Sequence, residues 1–303
     1  MFADEMQASA KTPPGSDPTP SETYDRFTIP PENVVVHKWL CDAKTTPARA
    51  VLILQHGFGE YAERYLTSHY EMIPKVLAEG FEVWALDFYG HGRSPGDRGI
   101  VDVTMAVRHH LEVRKRAAER GLPIFLFGHS LGGMVTSGSV SSSPDGIAGI
   151  VLSSPAFAPP MSGLGQAALK LVASIIPSWQ VPMPRAPIEE LCHDQEQVRI
   201  LIEDPMKHKG KISFLVASTA VEVCNNVWNK VDTWTAPTLA IHGTADSRAQ
   251  YLHCQTLIEK IASQDKELFS VDGGYHELFN ALEPRETFQH VLDWLHRHLS
   301  SVG

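Results

Sequence analysis

Two rhythms of apolar and polar positions run along this chain. From Val34 to Leu152, short apolar runs such as Val51-Leu52-Ile53-Leu54-Gln55, Val83-Trp84-Ala85-Leu86 and Ile124 to Phe127 are separated by longer segments of helical spacing. Runs that are continuously apolar belong to strands buried on both faces, which is the habit of a mostly parallel sheet covered by helices on both sides. After Ser153-Ser154-Pro155 the alternation stops. It resumes at Thr238-Leu239-Ala240-Ile241 and again at Glu267 to Val271, ahead of a helix pattern that begins near Glu283. The pattern predicts an α/β chain whose core is built from residues 26–155 and 235–303, with residues 156–234 as a helical insertion.

Inside that insertion, Leu164, Ala168, Leu171, Val172, Ile175 and Ile176 recur at helical spacing, and Pro177 stops the helix. Only Gln166, Lys170 and Ser174 are polar between them. Two readings stand side by side: the apolar face packs on the core, or, with Trp179, Val181 and Met183, it dips into a lipid surface. The stretch is too short and too broken by proline to span a bilayer. At the other end, the first 31 residues hold six of the 21 prolines and no apolar block of strand length. Residues 1–25 are therefore read as a disordered tail. The start lacks a basic segment followed by an apolar one, so a cytoplasmic location is expected, peripheral to a membrane or lipid droplet if the insertion meets lipid.

Charge and cysteine usage remove several classes of function. A formal net charge of −9 and the absence of a basic run argue against a nucleic-acid partner, and Arg114-Lys115-Arg116 reads as the solvated face of a helix. Cys41, Cys192, Cys224 and Cys254 are far apart with no C-x-x-C pair, so neither zinc nor a redox dithiol is expected. No H-E-x-x-H is present, His109 and His110 point in different directions on a helix, and no G-x-G-x-x-G followed by an acid occurs. No metal and no cofactor is expected.

The chemistry is concentrated at strand ends. Gly128-His129-Ser130-Leu131-Gly132-Gly133 follows an apolar run and opens a small-residue helix, the pattern of a nucleophile elbow in which Ser130 sits on a tight turn flanked by glycines. A serine hydroxyl needs a base and the base an orienting carboxylate. Asp246, in the turn His242-Gly243-Thr244-Ala245-Asp246, is the candidate acid, and His276, in Gly273-Gly274-Tyr275-His276, is the candidate base. Asp272 is a rival acid, only four residues before His276 in the same loop, and Asp87 reads as the brace of the Gly90-His91-Gly92 turn. An oxyanion also needs preorganised donors. The Leu131 amide follows the nucleophile, and the Phe58 amide lies in the glycine-rich His56-Gly57-Phe58-Gly59-Glu60, which by itself is equally a plain turn.

Taken together, H-G-x-G-E-x-x-x-R-Y from His56 to Tyr65, D-x-x-G-H-G-x-S from Asp87 to Ser94, Gly128 to Gly133, His242 to Asp246 and Tyr275-His276-Glu277 resemble the monoacylglycerol lipase and lysophospholipase-like branch of the α/β-hydrolases. The resemblance covers about residues 30 to 300. It implies an α/β-hydrolase fold with an inserted helical lid and hydrolysis of a single-chain acylglycerol ester. Ser130, Asp246 and His276 then form the triad, and Phe58 and Leu131 are the oxyanion donors. It further implies that Glu60 and Arg64 lie by the polar headgroup pocket. The chain departs from the family at Cys192-His193-Asp194, at Leu201 where a tyrosine is usual, and at Asp204-Pro205-Met206, so a broader carboxylesterase or lysophospholipase is the runner-up. A catalytically silent ligand-binding hydrolase fold is the reading from another class.

Overall fold

The computed structural model describes residues 21–182 and 187–300. Its centre is an eight-stranded sheet of order β1-β2-β4-β3-β5-β6-β7-β8, comprising β1 Tyr24–Ile29, β2 Val34–Trp39, β3 Ala50–Gln55, β4 Phe81–Leu86, β5 Ile124–His129, β6 Gly149–Ser153, β7 Thr238–Gly243 and β8 Lys266–Val271. The six strands from β4 to β8 in this order pair in parallel, whereas β1 and β2 join antiparallel at one edge.

Period-two geometry explains why the central strands carry no polar face. In β3, Val51 and Ile53 enter one core while Ala50, Leu52 and Leu54 enter the other, because successive side chains point to opposite sides of the sheet. The first core is closed by α2 Val103–Ala118, α3 Leu131–Ser142, α6 Phe214–Trp228 and α7 Tyr251–Lys260, and the second by α1 Met72–Ala78 and α8 Arg285–Ser300. The covered, mostly parallel α/β sheet read from the pattern is the observed fold.

The tail reading needs correction at its inner end. Residues 1–20 lie outside the described residues, but Tyr24 already begins β1, which pairs with β2 from Tyr24 opposite Trp39 to Ile29 opposite Val34. The segment Tyr-Asp-Arg-Phe-Thr-Ile is mixed in polarity because it forms an edge strand, and an apolar-run criterion overlooks such a strand.

Residues 156–234 contribute α4 Gly163–Ile175, α5 Gln195–Glu203 and α6 between β6 and β7. These helices are not equivalent. Val216, Val223 and Val227 of α6 belong to the main core, so this helix is a structural layer. In α4 only Ala173 is buried, while Leu164, Leu171 and Ile175 are 84%, 63% and 71% exposed. The apolar face of α4 therefore does not pack on the core. Among the described residues no helix is long and apolar enough to cross a membrane.

Candidate active site

Ser130 occupies the corner between β5 and α3 with φ 54° and ψ −120°, a conformation that costs a non-glycine residue on the order of 1–3 kcal/mol and is held by its surroundings. Its N–H donates to the Ser153 carbonyl of β6 at 2.9 Å. The corner closes only because the residues two before and two after lack side chains. A Cβ on Gly132 would sit 2.1 Å from the Gln55 carbonyl oxygen, and one on Gly128 would sit 2.5 Å from Thr136 Oγ1.

His276 and Asp246 approach this serine from separate strand ends. His276 Nε2 lies 2.9 Å from Ser130 Oγ, and His276 Nδ1 lies 2.7 Å from Asp246 Oδ2. The other carboxylate oxygen accepts the Arg248 and Ala249 amides at 2.8 and 3.0 Å. Burial works to raise the Asp246 pKa, but hydrogen bonds from His242 and His276 outweigh it and hold the carboxyl well below its ordinary range. Asp272 takes no part, accepting instead from Thr244 Oγ1 at 3.2 Å. Asp87 accepts the Arg93 and Ala62 amides and faces His37, which makes it the brace of its turn.

Phe58 and Leu131, the expected oxyanion donors, lie near Ser130. Phe58 lines the same cavity as Ser130, and Leu131 is the first residue of α3, where the helix leaves its N–H groups unpaired and the dipole favours negative charge. The Gly57 N–H beside Phe58 donates to Glu60 Oε2 at 3.2 Å, which anchors that loop.

Below the loop lies a charged cluster. Glu60, Arg64, Glu277, Lys207 and His69 are all buried. Arg64 Nη1 donates to Glu60 Oε1, meets His69 Nε2 at 3.0 Å and reaches Glu277 Oε1 at 3.3 Å, while Nη2 donates to Glu277 Oε2 at 3.1 Å. Burial disfavours the charged forms of Glu60 and Glu277, yet Arg64 leads the groups that push both carboxyls below the usual range. Glu60, His69 and Glu277 present ligand atoms within 4.8 Å of one another, the spacing of a metal site. A guanidinium nitrogen bonded to all three already fills the cation position.

A cavity of about 350 Å³ opens above Ser130 and His276. Glu60, Lys207, Lys211, Arg248 and Glu277 line it together with the apolar Val181, Leu191 and Ile212. Of the two residues expected by the headgroup, Glu60 does line the cavity and Arg64 does not, because its side chain is enclosed among the two carboxylates and His69. Leu201 is buried away from the cavity. Sequence reasoning missed Lys207, Glu277 and His69 as a unit. Glu277 stood in the quoted Tyr275-His276-Glu277, but nothing in spacing marks Lys207.

The chain matches the family described as serine aminopeptidase, S33, over residues 46–283. It is 30% identical to a monoacylglycerol lipase of Mycolicibacterium smegmatis, covering 88% of this chain and 94% of that one. A human monoglyceride lipase is 28% identical over 86% of each chain. The crystal structure of a Paleococcus ferrophilus monoacylglycerol lipase superposes with a TM-score of 0.75 at 30% identity, covering 88% of this chain and 99% of that one.

Proposed function

Because the chain belongs to the serine aminopeptidase S33 family of α/β-hydrolases and is a carboxylic ester hydrolase similar to monoacylglycerol lipases, we propose that it cleaves monoacylglycerols to fatty acid and glycerol through Ser130, His276 and Asp246. The observation that carries this reading is the unbroken relay of 2.9 and 2.7 Å from Ser130 Oγ through His276 to Asp246. His276 takes the Ser130 proton as Oγ attacks the ester carbonyl, and the Phe58 and Leu131 amides hold the tetrahedral oxyanion. The imidazolium then protonates the departing alcohol. Water, activated by the same imidazole, attacks the acyl-enzyme, and the fatty acid leaves with Ser130 restored. Asp246 stays ionised throughout, fixes the tautomer and stabilises the imidazolium.

Residues 156–234 act in this reading as a lid. Exposed Leu164, Leu171, Ile175 and Trp179 on or beside α4 give it a face suited to transient contact with a lipid surface. A broader carboxylesterase is the second reading, favoured by the charged Glu60, Lys207, Lys211, Arg248 and Glu277 in the lining of the cavity. Hydrolysis rates for monoacylglycerol, diacylglycerol, lysophosphatidylcholine and a short aryl ester decide between them, with Ser130→Ala as the blank. A preference for monoacylglycerol is expected. Fastest turnover of the aryl ester favours the second reading, and a variant Ser130→Ala that keeps a tenth of the activity overturns both.

A further inference from the structure

Lys207 brings a buried ammonium to the wall of the cavity above Ser130, and its hydrogens make no hydrogen bond among the described residues. Its Nζ stands 3.6 Å from Glu60 Oε1 and 3.8 Å from Glu277 Oε1, within ion-pair range but beyond hydrogen-bond length. Arg64 already occupies the hydrogen-bonding positions on these same oxygens. An ammonium carries three donors, and a buried donor left unmade is costly, so Lys207 calls for oxygen acceptors from whatever fills the cavity. Burial and the neighbouring Arg64 also act against its charge, which strengthens the same demand.

This ammonium is held in place and lies close to the reacting centre. Its segment is pinned by Tyr61 Oη donating to Asp204 Oδ2 at 2.8 Å and by the His208 N–H donating to the Gly59 carbonyl at 2.9 Å. A Cβ placed on Gly57 would be 3.2 Å from both Ser130 Cβ and Glu60 Oε2, so the carboxylate that Lys207 faces is within two contacts of the nucleophile. Glu277 directly follows His276, and both line the cavity with Lys207, so the loop that carries this imidazole also carries one member of the cluster. Two carboxylates, one guanidinium and one ammonium balance in charge. An anionic alcohol meets Glu60 and Glu277, a cationic one meets Lys207, and a neutral polyol finds donor and acceptors together.

We propose that Lys207 is a specificity-determining residue that donates hydrogen bonds to free hydroxyl oxygens on the alcohol half of the ester, making polyol monoesters the preferred substrate class. The inference rests on the reading of Ser130 as the ester-cleaving nucleophile. The test compares the butanoate ester of glycerol with propyl butanoate, which shares the acyl chain and lacks the two hydroxyls, for wild type, Lys207→Met and Lys207→Arg. Wild type is expected to favour the glycerol ester. In Lys207→Met the ratio of kcat/KM for the glycerol ester to that for the propyl ester falls about 10- to 100-fold, the range of a hydrogen bond to a charged group, and the change sits in KM for the glycerol ester. Lys207→Arg restores part of the ratio. Where Lys207→Met does not fold, Lys207→Gln supplies the same ratio. No wild-type preference, or a ratio that Lys207→Met leaves unchanged, overturns the assignment. Ser130→Ala in the same assay separates the two failures: residual turnover of propyl butanoate refutes the nucleophile, whereas full loss with an unchanged ratio refutes only Lys207.

Discussion

Arg64→Met is expected to leave two buried carboxylates, Glu60 and Glu277, facing a single ammonium on Lys207. The Arg64 side chain is 3% exposed and each glutamate 2%, so water does not replace the lost partner. Removing one member of a buried ion pair costs about 3–5 kcal/mol, and the remaining Lys207 places the expectation near the lower end, about 3 kcal/mol. At about 2 °C per kcal/mol for a chain of this size, the unfolding midpoint at pH 7.5 falls by about 6 °C. The pH dependence gives the sharper check. In wild type both carboxyls titrate below their ordinary value because the cations outweigh burial, so their contribution is complete above pH about 4.5 and is lost as pH falls through the lower folded values. Without Arg64, burial dominates at one carboxyl and its folded pKa rises above the unfolded value. That carboxyl takes up a proton on folding, so the variant regains stability relative to wild type between pH 7.5 and 5. Thermal melts of both proteins across that range read the gap between midpoints, and effects shared by the two chains cancel. A gap under about 2 °C at pH 7.5, or one of equal size at pH 7.5 and 5, refutes the account of this cluster.

Two further outcomes follow from burial and exposure elsewhere. Replacing Leu171 and Ile175 by Ser removes apolar surface from a face that carries no core contacts, so turnover of micellar long-chain monoacylglycerol should fall several-fold more than turnover of a soluble butyrate ester. Equal losses on both substrates contradict a lipid-facing role for α4. His110 is fully buried, neither ring nitrogen has a hydrogen-bond partner among the described residues, and burial pushes its pKa down to about 3. A histidine neutral in the fold and protonated near pH 6.5 when unfolded contributes stability that is whole above pH 6.5 and is lost on acidification, by about 2 kcal/mol at pH 5. His110→Leu should therefore melt progressively higher relative to wild type as pH drops from 7.5 to 5, and a constant difference disproves the assignment.

The elements that the sequence disclosed are those whose physics is local. A buried parallel strand must be apolar at every position, so β3, β4, β5 and β7 show up as runs, and the elbow shows up because two glycines are needed within two residues of Ser130. Asp246 and His276 are 30 residues apart, yet each is legible from its own loop, since each must sit just beyond the carboxyl end of a strand to reach the serine. Edge strand β1 escaped because one side of it meets water and its residues are mixed in polarity.

The charged cluster under the loop of residues 57–60 obeys a different rule. Arg64 follows Glu60 by four positions, but Arg64 and Glu277 are 213 positions apart and Lys207 enters from the insertion, so no window of sequence contains the groups that neutralise Glu277. Each residue alone reads as a surface charge, because lysine, arginine and glutamate are almost never fully buried unless paired. Only the folded chain supplies the pairing. The cluster joins the loop of residues 57–60 through Glu60, the His276 loop through Glu277 and the insertion through Lys207. A change in any one charge therefore alters the electrostatics felt by the other two, and the insertion is coupled through this cluster to the two loops beside Ser130, in addition to the Ala156 N–H that donates to the Ser130 carbonyl at 3.0 Å.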